Sequence, residues 1–235
     1  MTCPKVFLIP VAMCLVVHTV VGQNFEAVYA KHITAVGGRH RLDSIKTMVS
    51  VSVDDKGGVQ NSYYARPDLS LHHLVDTARN MIVRTMANGG LACLSDRKIF
   101  GTDTAFRLQV VKPISGSGFF QNGLIDYKSN GYAASVLGVE KAEGRDCIVI
   151  KLRKDTKMYH LYYIDKETYL LFMHQTRYAS GPDGSISYYS DYRSVDGVMF
   201  PFVVEVSGGS FKKKKYTSIK TNVVLDRRMF VCNGL

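Results

Sequence analysis

The spacing of apolar positions along this chain changes character twice. From Asn24 the sequence reads NFEAVYAKHITAVGG, with Phe25, Val28, Tyr29, Ile33 and Val36 three or four residues apart. That spacing draws a single apolar stripe down an α-helix. Asn24 is placed to cap its first turn, and Gly37-Gly38 ends it. A second short turn is expected around 41–45. After Lys46 the period becomes two. KTMVSVSVDD alternates up to the turn signal DDKGG. VQNSYYARPDLSLHHLV and NMIVRTMANGGLACL continue the alternation, with turns at Pro67-Asp68 and Asn88-Gly89-Gly90. This predicts a meander of short antiparallel strands.

The middle of the chain, Asp103 to Gly131, does not alternate. Phe106, Leu108, Val110, Val111, Phe119, Phe120, Leu124 and Ile125 are broken up by Gly and Pro. The pattern predicts short apolar helices around an SGSG link, and such helices need a surface to lie on. Strand signals then resume and run to the end, from YAASVLGVE through VMFPFVVEV to KYTSIKTNVVL, with turns such as EGR, GPDG and SVDG. Turns recur every 8–12 residues or so, giving about eleven strands, as in a sandwich or barrel. No linker or repeat divides them, so residues 23–235 are expected to form one domain. The chain has 14 Tyr and 11 Phe but no Trp. That composition suits a curved sheet with a large apolar concave face, plugged by the helices.

The first residues stand apart from this plan. MTCPKVFLIPVAMCLVVHTVVGQ has one basic residue, Lys5, an apolar run from Val6 to Val17, and small residues up to Gly22. This reads as a cleaved signal peptide spanning 1–22, because the run is short for a membrane span of roughly 20 residues. Without Lys5 the formal net charge of +10 becomes +9. The basic balance does not point to nucleic acid: no zinc spacing, aromatic-basic signature or recognition helix is present. Four positives sit together at Lys212, Lys213, Lys214 and Lys215. They read as a solvated hairpin end, with contact to an anionic surface as the functional alternative. Of the five cysteines, Cys93, Cys147 and Cys232 lie outside the leader. One bridge at most can form, and small apolar residues in strands are the expected state.

Candidate chemistry is sparse. There is no phosphate loop, nucleophile elbow or dinucleotide fingerprint, and no cofactor is expected. His72 and His73 are adjacent on an alternating strand and point to opposite faces, which does not suit a shared metal. His160 and His174 lie on successive strands and are placed to pair across a hairpin, without a carboxylate or thiol ligand beside them in sequence. The stretch SYYSDYRSVDGVMFPFVVEV offers Asp191, Arg193 and Asp196 as possible acids and base partners. Asp191 and Arg193 share a strand face, Asp196-Gly197 is a two-residue hairpin turn, and Pro201 implies an edge or bulge. No catalytic residue and no metal ligand is assigned.

Taken in order, GLIDYKSNGYAASVLGVEKAEGRDCIVIKLRKD, YYIDKETYLLFMHQTRY, YSDYRSVDGVMFPFVVEV and YTSIKTNVVLDRRMF resemble the LolA-like superfamily of bacterial envelope proteins. The likeness is to its outer-membrane lipoprotein-sorting-protein-like members. AVGGRHRLDSIKTM is similar to their entry from helix to first strand. The family often has Trp after the Gly-rich turn, where this chain reads NGGLACL. The resemblance implies a mainly β (α+β) fold, a strongly curved and incomplete antiparallel barrel, with short helices as a lid over its concave face. It implies a non-enzymatic, periplasmic protein that binds lipid, acyl chains or acylated protein for transport or sorting in the cell envelope. Inner- or outer-membrane receptor proteins would be further partners. Phe106, Phe119, Phe120, Leu124 and Ile125 are the expected lid and cavity residues. The alternatives are an envelope interaction or sensor module using the same sheet, and a hydrolase with an unrecognised site.

Overall fold

The computed structural model describes residues 24–67, 69–88, 91–98, 109–111, 123–181, 184–207 and 212–231. The signal peptide expected at 1–22 lies outside them. Helix α1 (Phe25–Ala35) begins where the Asn24 side chain accepts the Glu26 N–H at 3.0 Å. It ends in a glycine-terminated cap: Gly38 N–H bonds Ile33 O and Gly37 N–H bonds Thr34 O. Its buried face carries Val28, His32 and Ile33. A second short helix, α2 (Arg39–Ser44), buries Leu42.

Among the described residues thirteen strands then form one sheet. The first six are β1 (Thr47–Asp54), β2 (Val59–Ala65), β3 (Leu69–Asp76), β4 (Met81–Asn88), β5 (Leu91–Lys98) and β6 (Gln109–Val111). The next seven are β7 (Ala133–Ala142), β8 (Arg145–Arg153), β9 (Met158–Asp165), β10 (Leu171–Tyr178), β11 (Ile186–Val195), β12 (Val198–Ser207) and β13 (Lys213–Thr221). Their order is β6-β5-β4-β3-β2-β1-β13-β12-β11-β10-β9-β8-β7. Two meanders are therefore joined side by side through β1 and β13, every neighbour is antiparallel, and the sheet is unclosed. Register shifts at Val51/Ser52, Val136/Gly138 and Leu171/Met173 add the local twist that curves it. Among the described residues no helix is long and apolar enough to cross a membrane. A short 3-10 turn, Arg227–Phe230, packs Phe230 on the outer face against Ala65, Leu71 and Met86.

The mainly β, curved and incomplete barrel agrees with the expectation. Two points differ. The segment expected to be helical contains β6, hydrogen-bonded to β5, and residues 123–131 are turns. Three residues are too few to display a period of two, so β6 is invisible in the pattern. Cys93 is disulfide-bonded, not a free apolar residue, whereas Cys147 is free and buried.

The stretch Ser187–Val206 is a hairpin corner. Asp196 and Gly197 take positive φ, 51° and 76°, as a tight two-residue turn requires. Asp196 accepts a hydrogen bond from the Thr221 hydroxyl on β13. Asp191 and Arg193 form an exposed pair at 2.7 Å. Pro201 sits beyond the stretch where β12 pairs with β13, Val203 to Glu205, so its missing N–H leaves no ladder bond unmade there. Asp191→Asn should therefore leave the melting temperature unchanged, because Asn keeps the side-chain shape and tolerates the positive φ of 52° at this position. A shift of several degrees in a thermal melt would contradict this.

Candidate functional site

The inner face of the sheet is the candidate site. Toward the end holding the β9–β10 and β11–β12 turns, it is apolar and covered. Val28 and Ile33 from α1 and Val36 just past its end, with Leu42 and Ile45, pack on Ile148, Ile150, Ile164, Phe200 and Phe202. His32 fixes the depth of α1: it is fully buried, and its Nδ1 lies 2.7 Å from Tyr169 O in the β9–β10 turn. Burial lowers its pKa to about 4, so the ring is neutral and its Nδ1 donates to that carbonyl.

Residues 123–127 complete the cover. Leu124 and Ile125, two of the expected cavity residues, are 0% and 3% exposed within this same core. The segment is held by polar contacts at its rim. Ile125 O accepts from the Tyr29 hydroxyl at 2.8 Å and from Arg39 Nη1 at 3.0 Å. Arg39 also pairs with Asp126 at 3.0 Å, and the Tyr127 ring stands edge-on to Phe25 and Tyr29. The Gly123 backbone bonds the Tyr162 hydroxyl, and a Cβ at position 123 would lie 2.7 Å from that oxygen. Among the described residues, a space of about 20 Å³ lies under this cover, lined by Val36, Leu42, Ile125, Leu171, Val198 and Phe200 among others. That holds a water molecule and not an acyl chain. Phe106, Phe119 and Phe120 lie outside the described residues.

Toward the opposite end, where the β1–β2, β8–β9 and β12–β13 turns lie, the inner face becomes polar. His160 Nδ1 is 3.1 Å from His174 Nε2, and the two rings stack at 5.2 Å. Burial lowers both, and the charge of His160 adds to the effect on His174, which falls to about 4. Across β13 and β2, Lys214 Nζ donates to Gln60 Oε1 at 2.9 Å. Gln60 Nε2 donates to Ser62 Oγ at 2.9 Å, and His72 Nδ1 lies 2.9 Å from the same hydroxyl. Ser50, Ser52 and Ser62 are nearly fully buried on this face.

The lysine run is divided by strand alternation. Lys213 points outward and pairs with Glu205 at 2.7 Å, Lys215 and Lys212 are exposed, and Lys214 points inward. Counting back by two from the buried Tyr216 would have found Lys214 in the sequence. His160 and His174 meet across the β9–β10 hairpin, as their places on successive strands implied.

No catalytic constellation is assembled from the expected acids. Cys147 lies on the outer face among Val149, Leu161 and Tyr163, so the sheet separates it from His160 and His174. Burial pushes its thiol up to about 11, far from a thiolate at neutral pH. Among the described residues no group of three or more His, Cys, Asp or Glu is placed to hold a metal ion.

The fold is LolA-like. The chain superposes on a DUF1329 family protein from Desulfovibrio piger with a TM-score of 0.57 at 14% identity, covering 88% of this chain and 97% of that one. It superposes on a LolA superfamily protein from Nitrosomonas europaea with a TM-score of 0.51 at 14% identity, covering 84% and 96%. No protein-family model matches the chain, and no protein of curated function is similar to it in sequence.

Proposed function

We propose that this chain is an exported, non-enzymatic carrier that takes an apolar ligand, an acyl chain of a lipid or acylated protein, against the inner face of its half-barrel. The observation that carries the reading is the cover over that face. Its apolar wall is capped by the irregular segment 123–127, whose rim is tied to α1 and α2 through Ile125 O, the Arg39–Asp126 pair and the Tyr127 ring. Irregular segments with few backbone bonds lie at the low-stability end of a fold and open locally. A ligand burying methylene groups gains about 0.8 kcal/mol per CH₂, enough for a chain of ordinary length to displace Leu124 and Ile125.

The protein purified after export is expected to carry lipid in native mass spectrometry, or to take up a fluorescent fatty acid once delipidated. A lipid-free protein that takes up none would end the carrier reading. Arg39→Ala removes one of the two donors to Ile125 O and the pairing with Asp126. It should speed fatty-acid uptake several-fold in a stopped-flow assay; an unchanged rate would show that 123–127 does not limit entry.

A protein-binding reading is favoured by a different feature. Edge strand β7 leaves Leu137 and Val139 exposed, at 53% and 45%. A strand edge that has no neighbour among the described residues and carries apolar side chains suits addition of a partner strand. Retained partner binding by a protein that takes up no lipid would select this reading.

A further inference from the structure

We infer that Cys93 is bonded to Cys232, and that this bond fastens the C-terminal segment as a strap across the outer face of the N-terminal meander, which makes the seat of the strap depend on an oxidising compartment. The inference stands with or without an apolar ligand. Cys93 is disulfide-bonded and 1% exposed, whereas Cys147 is free. Of the other three cysteines, Cys3 and Cys14 fall within the expected signal peptide, and Cys232 stands two residues after Phe230. The path of the chain points the same way. Beyond β13 it first runs beside β1, where Asn222 N–H bonds Thr47 O and the Thr47 hydroxyl donates to Val223 O at 2.6 Å. Arg227 then donates to Arg66 O, past the end of β2, at 3.3 Å, and Arg84 on β4 donates to Met229 O at 3.4 Å. Phe230 is fully buried against Ala65, Leu71 and Met86, with Leu225 and Met229 alongside. The segment thus crosses from β1 to β4, and the next strand in the sheet is β5.

Cys93 lies on β5 directly opposite Met86, so its side chain is on the face that Phe230 covers. Val231 is extended, with φ −110° and ψ 131°. Two residues of extended chain reach about 7 Å, more than the spacing of about 4.8 Å between neighbouring strands. The sulfur of Cys232 is therefore within reach of the one on Cys93. The strap has little else to keep it down. It adds no strand to the sheet, and its internal support among the described residues is the Met229 N–H bond to Asp226 O and the Asp226 side chain accepting Arg228 N–H at 2.9 Å. Segments held this sparsely lift locally, and lifting this one uncovers the apolar patch under Phe230. A covalent tie at the far end opposes that, because it closes a loop that takes in β7 to β13. Closing it joins the two Sγ atoms and removes two protons and two electrons. A disulfide-bearing oxidant takes them and is reduced to two thiols. Where thiols are kept reduced the strap has only Phe230 and its neighbours to hold it.

The pairing is tested on the protein purified after export, by blocking free thiols in denaturant and mapping tryptic peptides without reduction. Peptides 85–97 and 229–235 should run as one linked species that reductant splits, and Cys147 should carry the blocking group. Blocking groups on both Cys93 and Cys232 overturn the inference, and so does a link from Cys93 to any other cysteine or to a second chain. The fastening is tested with Cys232→Ser. Its thermal midpoint should lie several degrees below that of the unaltered protein, and trypsin should cut after Arg227 and Arg228 roughly tenfold faster or more. Reductant should bring the unaltered protein to the midpoint of the variant and leave the variant where it is. A linked pair whose loss changes neither the midpoint nor the cleavage rate overturns the strap. If Cys232→Ser fails to fold, the peptide map still decides the pairing, and the midpoint and cleavage of the unaltered protein with and without reductant decide the fastening.

Discussion

Replacing Gly37 with Ala is expected to abolish or nearly abolish stable folding. The residue has φ +123°, a region that side chains rarely adopt. A Cβ there would stand 2.4 Å from Gly197 O and 3.0 Å from Val198 Cα. Both are backbone atoms of the β11–β12 turn, so no side chain can swing aside. The strain costs about 1–3 kcal/mol and the overlap another 1–3 kcal/mol or more. Together they approach the whole of a typical stability of about 5–15 kcal/mol. Gly38 is the internal control. Its φ is +89°, but a Cβ on it meets nothing within 4 Å. Gly38→Ala should therefore show the strain alone, and the difference between the two urea midpoints isolates the overlap. Equal midpoints would mean that the α1 end does not seat on this turn.

The second large effect is loss of stability on mild acidification. His32, His72 and His174 each have a folded-state pKa of about 4 against an ordinary value of 6.5, with burial as the first cause. The charge of Lys214 also depresses His72, and that of His160 depresses His174. Because the folded pKa lies below the unfolded one, the unfolded chain takes up protons first as pH falls. Stability is therefore full above pH 6.5, declines between 6.5 and 4, and levels off below 4 as far as these groups are concerned. A shift of this size at one fully buried histidine corresponds to about 3 kcal/mol. His32 approaches that limit, and the two less buried rings contribute less. Urea midpoints measured from pH 7.5 to 4 should fall steeply across that window, and His32→Gln, although less stable at pH 7.5, should flatten the slope. A level profile would show that these rings do not need to be neutral for the fold.

Much of this architecture was legible in the sequence. The stripe Phe25–Val36 and its glycine stop gave α1, and the alternation from Lys46 onward gave the meanders. Asp196-Gly197 marked the hairpin on which Gly37 seats. The remainder was hidden for physical reasons. Which strands become neighbours across the sequence, β1 with β13 above all, is decided by long-range pairing that no local period records. The cover formed by 123–127 is irregular, so Leu124 and Ile125 stood out by composition and not by spacing. The charge run at 212–215 looks uniform until the strand direction is applied, and then one lysine of the four faces inward. By contrast, the places of His160 and His174 on successive strands already put them across one hairpin from each other, and there they meet.

The junction of β1 with β13 also sets an order of events for the growing chain. Thr217 bonds Val51 across 166 residues of sequence. The N-terminal meander thus keeps an open edge until almost all of the chain has emerged, and closing so long a loop makes assembly slow. An N-terminal meander formed before then would present its β1 edge to strands of other chains.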